Sequence, residues 1–358
     1  MNIKKLNGFL ITTILALMLV LAGCGGSSET GSSQSDNGNG NENGSASEET
    51  YTIRIPAVVN EENFVAIGFK KFQELAEEKS DGRLKVDLYL NGTLSASNEE
   101  DLQLLNDGSV EMIGMPSFVG AQAGGVDGFN IYDFPFLYDT RDDFYEVAEG
   151  PLGQELTASF EQATGGKILG YYDIGGLSLL NSNHTIKQPS DLNGLNIRTP
   201  QSSLFMDTIS VMGGNPTPIT FAEVYTSLQQ GTIDGLTTTL PLMYDSQFFE
   251  VSKYLTVTNH VLIPYVLVIN ENFFEGLPED LQAILLESAD EMIQFSRDLV
   301  VEHEVTAIEK LKEEGVEVYE LTPEEFQVFS ESVQPAIEKN IDLAGADVYE
   351  KALELLGK

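Results

Sequence analysis

The chain has 358 residues, with 19 Lys and Arg against 56 Asp and Glu, a formal net charge of −37 and one cysteine. So acidic a surface repels a phosphate backbone and excludes nucleic acid as a partner, and a lone cysteine excludes internal disulfides and thiolate metal sites. No HExxH, GxSxG or P-loop spacing occurs and the three histidines, His184, His260 and His303, lie far apart, so no metal site, cofactor or enzymatic activity is expected.

Lys4 and Lys5 precede an apolar run at 9–21, and Leu21-Ala22-Gly23-Cys24 follows. A short apolar segment behind a positive start reads as a signal peptide, residues 1–23, too short for a usual spanning helix. Leu-Ala-Gly-Cys resembles a bacterial lipobox, which makes Cys24 the expected lipidated N-terminus. Two acyl chains suffice for stable anchoring. Residues 24–50 are dominated by Gly, Ser, Asn, Asp, Glu and Thr, a composition that buries too little to order itself and reads as a flexible tether. The remaining 308 residues exceed what one core usually serves, so two lobes are expected.

Residues 51–55 alternate as a first strand. Phe64, Ile67, Phe72 and Leu75 fall at helical spacing, and Asp81-Gly82 stops that helix. Leu84, Val86, Leu88 and Leu90 alternate as a second strand. Asn98 can cap a helix carrying Leu102 and Leu105, and 110–115 is a third strand. Strand-helix-strand-helix-strand implies parallel pairing and an α/β lobe. The aromatic loop Asp133-Phe-Pro-Phe-Leu-Tyr138 reads as core. Helices at 142–149 and 152–164 precede a strand at 167–172, and Ile174-Gly175-Gly176 looks like a crossing between lobes.

Leu195, Asn196, Ile197 and Arg198 form a short strand that Thr199-Pro200 ends. Leu204, Phe205, Ile209 and Met212 predict a helix closed by Gly213-Gly214. Thr220 and Glu223 have the spacing of a capping box for a helix at 221–230. The run 261–270 is β-branched and apolar, a buried strand returning to the first lobe. Beyond Pro278 there is no Gly or Pro until Gly315, and apolar residues recur helically. At 1.5 Å per residue this helix spans about 50 Å, enough to brace both lobes. A strand at 316–321 and a second capping box, Thr322-Pro-Glu-Glu325, open a C-terminal helical segment.

Arg198 is one of only five arginines. It sits at a strand's carboxyl end between two helix starts, where open α/β sheets hold ligands. Its planar fork suits a carboxylate, either a ligand's or one of the chain's own. The pairs Glu61-Glu62 and Glu99-Glu100 read as solvated helix ends rather than as a glycosidase's carboxylates.

The chain resembles the solute-binding proteins of TRAP transporters, the DctP family. The matching stretches are Glu78-Lys-Ser-Asp-Gly-Arg83, Asn91-Gly-Thr-Leu94, Asp107-Gly-Ser109, Asp133-Phe-Pro-Phe-Leu137, Gly194-Leu-Asn-Ile-Arg198, Gly214-Asn-Pro-Thr-Pro218, Glu223-Val-Tyr225, Gly231-Thr-Ile-Asp-Gly235, Phe249-Glu-Val251 and Tyr254-Leu-Thr-Val-Thr-Asn-His260. Single motifs are weak; ten in order across the folded part are specific. The resemblance implies a two-lobed periplasmic-binding-protein-like α/β fold with hinge strands and a long helix shared by both lobes. The lobes are expected at 51–174 plus 264–303 and at 175–263 plus 304–358.

The resemblance also implies capture of a small organic acid outside the cytoplasm by lobe closure, and delivery to the small and large membrane subunits of a TRAP permease. A lipid anchor on Cys24 would hold the receptor to the membrane, facing outward. A solute-binding lipoprotein of an ABC importer is the alternative. By that resemblance Arg198 binds the ligand carboxylate, Gln201 is the polar residue three positions on, and Phe221 packs on the ligand. Thr238 stands where an asparagine is common. Ser178, Asn215, Ser117 and Glu62 complete the candidate set. A second arginine common in the family has no counterpart near Gly176-Leu-Ser178, which favours a monocarboxylate unless Lys187 or a water substitutes.

Overall fold

The computed structural model describes residues 49–358. The signal peptide, Cys24 and nearly all of the tether lie outside the described residues.

The first lobe begins with β1 (Tyr51–Pro56), α1 (Phe64–Lys79) and β2 (Leu84–Tyr89). The two strands pair in parallel, Ile53 opposite Val86, as a strand-helix-strand unit requires. Asn63 caps α1 by accepting from the Val65 N–H, and α1 buries Val65, Phe69, Phe72 and Ala76. In α2 (Asn98–Asn106) the cap is Ser97 rather than Asn98: its Oγ accepts from the Glu100 N–H at 3.3 Å. Then come β3 (Met112–Pro116), α3 (Ser117–Gln122), α4 (Arg141–Glu149) and α5 (Pro151–Thr164). The aromatic loop is core, with Phe134 and Leu137 buried.

β4 (Gly166–Asn181) is one 16-residue strand rather than a strand followed by a linker. Beyond it lie β5 (Asn196–Thr199), α6 (Ser203–Val211), β6 (Asn215–Pro218), α7 (Val224–Gln229), β7 (Gly235–Thr239), α8 (Leu240–Asp245) and β8 (Tyr254–Val257). The chain returns through β9 (Leu262–Asn270) and α9 (Glu271–Gly276). α10 (Glu279–Glu313) is the expected long helix, 35 residues. β10 (Glu317–Glu320), α11 (Pro323–Ser332), α12 (Gln334–Ala344) and α13 (Ala346–Leu356) finish the fold.

The first half of β4 pairs antiparallel with β9, and β9 pairs antiparallel with β3. The strand-helix-strand order predicts parallel pairing for β3; the returning β9 runs the other way, so β3, β9 and β4 pair only antiparallel. The second half of β4 lies between β7 and β8 in the order β10-β8-β4-β7-β5-β6. One strand thus belongs to both sheets. The Thr220–Glu223 box does not cap a backbone. The Thr220 hydroxyl donates to the Glu223 carboxylate at 2.8 Å, and a 3₁₀ turn at Phe221–Glu223 precedes α7.

α10 serves both lobes. Leu281, Leu285 and Met292 join the core of α1, β1 and β9, while Ala307 and Leu311 join that of β7, α8 and β8. The sequence reading assigns 304–358 to the second lobe. In the fold α13 packs on α4 and α5, and α12 touches α6, where Asn340 donates to Asp207 at 2.9 Å.

Two polar clusters tie the lobes. The pairing of β4 with β9 slips between Asp173 and Gly176. There Arg141 bonds the buried Asp173 at 3.1 Å and Glu304 of α10 at 2.5 Å. Asp173 also accepts from Tyr145 and from the Gly175 N–H, and Glu304 from the Gly176 N–H. At the end of α8, the Asp245 carboxylate accepts from Asn63 Nδ2 at 3.3 Å and the Phe64 N–H at 3.4 Å. A second-lobe carboxylate thereby faces the N-terminus of α1, a favourable charge–dipole arrangement.

Candidate binding site

β5 ends at Thr199 because Pro200 has no N–H to continue the ladder. Arg198, one residue earlier, is only 5 % exposed. Its Nε donates to the Ile219 carbonyl at 3.1 Å, and its guanidinium lies 5.8 Å from the centroid of Phe221. The Nη groups meet no acceptor among the described residues, and no ion pair among those residues includes Arg198. Burial pulls its pKa down to about 10, and the Glu99 charge acts the other way. The group stays cationic at neutral pH. A buried cation with its hydrogen-bond fork unfilled is costly unless an anion completes it.

The fork opens into a cavity lined by Arg198, Gln201, Phe221 and Thr238, four of the residues singled out in the sequence. The space among the lining side chains, solvent at the mouth included, is about 890 Å³. The first lobe supplies Val58, Val59, Val65, Pro116, Phe118 and the start of α2. The second supplies the end of β5, the turn at 219–221 and the end of β7. Most walls are apolar and the polar groups are few, the usual make-up of a small-molecule site.

Four candidates fall outside this lining. Ser117 is buried and donates to Asp133 at 2.7 Å. Ser178 is buried against the turn after β8, where its Oγ accepts from the Thr258 N–H at 3.3 Å. Asn215 is exposed on β6 and donates to Asn196 at 3.4 Å. Glu62 is exposed near Asp245, whose pKa burial raises to about 6, with the Glu62 charge adding to the rise. Small polar residues near a strand end look like ligand contacts, but the Ser117 and Ser178 hydroxyls are taken up by Asp133 and the backbone at Thr258. Lys187 does not replace the missing arginine: its Nζ lies 4.7 Å from the centroid of Tyr319.

Sequence reasoning missed Ser97, Asn98, Glu99, Thr220, Thr237, Thr239 and Tyr265, all in the lining. Glu99 corrects its reading as a solvated helix end. It is half-buried and faces the cavity, whereas Glu100 folds back to accept from the Ala96 N–H at 2.7 Å. His260 is a buried structural histidine. It contacts Thr258 at 2.7 Å and Thr237 at 3.3 Å, and burial lowers its pKa to about 4, which keeps it neutral.

Residues 56–342 match the profile of DctP, bacterial extracellular solute-binding protein, family 7. The chain is 35 % identical over 269 residues to the 2,3-diketo-L-gulonate-binding periplasmic protein YiaO of Escherichia coli, covering 75 % of this chain and 80 % of that one. The crystal structure of the sugar acid binding protein DctPAm from Advenella mimigardefordensis with galactonate superposes with a TM-score of 0.82 at 28 % identity, covering 86 % of this chain and 98 % of that one. A TRAP periplasmic solute-binding protein from Sulfurospirillum deleyianum with bound succinate gives 0.80 at 25 % identity, covering 86 % and 99 %. With its two α/β lobes, shared helix and crossing strand, the chain belongs to the DctP family and is a solute-binding protein of the TRAP type.

Proposed function

We propose that the solute is a small organic acid whose carboxylate rests on Arg198. The observation that carries this is the cation itself, 5 % exposed, facing a cavity, with its Nη donors unfilled among the described residues. In this reading Gln201 and Thr238 supply polar contacts and Phe221 an aromatic wall. The solute enters between open lobes, and closure is driven by contacts that exist only when both lobes touch it. The slip in β4 at 173–176 is the natural place for that rotation. The loaded receptor then docks on the two membrane subunits of a TRAP permease, and it carries out no chemistry on its cargo.

We further propose attachment to the membrane through lipid on Cys24, on the strength of Leu21-Ala22-Gly23-Cys24 following a signal-like start. Calorimetry with sugar acids, keto acids and mono- and dicarboxylates tests the binding reading. An Arg198→Ala protein that keeps wild-type affinity refutes it. Mass spectrometry of the membrane fraction tests the anchor: an unmodified Cys24, or cleavage elsewhere, removes it.

A further inference from the structure

Two charged side chains line the cavity, and they have opposite sign. Arg198 presents its fork from β5, and Glu99 reaches the same space from the first turn of α2. Glu99 is half-buried and has no hydrogen-bond or ion-pair partner among the described residues. Ser97 caps α2 and Glu100 accepts from the Ala96 N–H, so Glu99 serves its helix only as a first-turn acid and its carboxylate is left to the cavity. Among the described residues no lysine, histidine or second arginine lines the cavity. A ligand held by one carboxylate at Arg198 therefore meets a negative charge elsewhere in the pocket. A hydroxyl or ammonium group there would donate to that carboxylate. A second ligand carboxylate would meet repulsion with no cation to offset it, the kind of exclusion by which sites discriminate.

We propose that Glu99 is a specificity-determining residue: it accepts a hydrogen bond from a hydroxyl or ammonium group of a monocarboxylate and rejects dicarboxylates. The ligand class is then a hydroxylated or aminated monoacid. This rests on the carboxylate lying at Arg198. The remaining polar lining includes the Asn98 and Gln201 amides and the Thr238 hydroxyl, while Ser97 and Thr237 already serve the Glu100 N–H and His260. The Thr239 hydroxyl is buried with no partner among the described residues.

The test is calorimetry on the wild-type, E99Q and R198A proteins, each first shown by a cooperative melting transition to be folded. The probes are succinate, 4-hydroxybutyrate and 4-aminobutyrate, which share one chain length, together with galactonate and erythronate. Wild-type protein is expected to bind at least one hydroxylated or aminated monoacid at least tenfold more tightly than succinate. E99Q is expected to bring the two classes within about threefold by weakening the first and strengthening the second. R198A is expected to lose both. Preference of the wild type for succinate overturns the assignment, whether or not E99Q folds. So does unaltered selectivity in a folded E99Q protein, or failure of every monoacid probe to bind. If R198A alone loses binding in these cases, the carboxylate site stands and only the Glu99 role falls. If R198A binds as the wild type does, the carboxylate site falls with it.

Discussion

Arg141 and Arg198 meet opposite fates. Arg141, on α4, is held by Asp173 and Glu304 at the crossing of the lobes. Arg198, on β5, has a carbonyl at Nε and nothing at its Nη groups among the described residues. Among the described residues two carboxylates bond the first arginine and none bonds the second. An arginine whose charges are matched within the fold fixes geometry. One left unmatched beside a cavity is fitted to take an anion from outside. Removing each should therefore damage different properties.

The largest effect is expected on binding. Arg198→Ala loses the paired charge-assisted bonds to a carboxylate, about 3 kcal/mol or roughly a hundredfold in affinity. Its thermal unfolding is expected to stay level or improve, because a buried unpaired charge goes with it. Arg198→Lys should bind poorly too, since a point charge cannot copy the fork. Calorimetry and melting curves on the same samples check both halves.

Arg141→Ala reverses the pattern. It leaves Asp173 fully buried and unpaired, at a cost of about 3 kcal/mol in stability, the lower end for breaking a buried pair because the Arg141 side chain is 29 % exposed. Chemical denaturation measures this, and ligand affinity is expected to fall less than in Arg198→Ala.

A third test uses a buried acid with no cation near it. Asp133 has the Ser117 hydroxyl as its hydrogen-bond donor, and burial pushes its pKa up to about 8. A raised carboxyl pKa means that the fold favours the protonated form. The stability from this group is full below about pH 4, the ordinary aspartate value, and is lost as pH rises through about 8. Asp133→Asn is expected to melt like the wild type at pH 5 and above it at pH 9. Equal slopes against pH would remove the effect.

The smallest change is expected at Asp245, the carboxylate that meets the start of α1. With its pKa raised to about 6, its stabilising share is full below about pH 4 and lost as pH rises through 6. Asp245→Asn should shift stability by less than about 1 kcal/mol, upward at pH 8. Melting curves at pH 5 and pH 8 read it out.

Much of the fold is legible where one local signal decides. The Gly- and Pro-free run after Pro278 yields α10, and clean alternation yields β2. β6 escapes such reading because two of its four residues are proline. It survives as an edge strand, where missing N–H groups do no harm. α8 is too short to show a period. In the cavity lining, Arg198 is legible because its residue type, its strand end and the family motif coincide. Glu99 is not, since a helix start that faces solvent and one that faces a cleft have the same local sequence. Only the packing of one lobe against the other separates them. Ser117 and Ser178 lie outside the lining for the converse reason: their chemistry fits a ligand, but Asp133 and the backbone at Thr258 engage it.

The continuity of β4 has a mechanical consequence. A single extended ribbon anchored in two sheets resists stretching, so the proposed opening would be taken up as torsion where its pairing lapses, and of the two slips, at 168–170 and 173–176, the second lies nearer the crossing. Gly175 has φ 99° there, and a methyl group at that position would lie 2.7 Å from the Glu304 carboxylate. The proposed pivot would then be short, its stiffness set by one glycine and by Arg141, which lies outside the cavity lining.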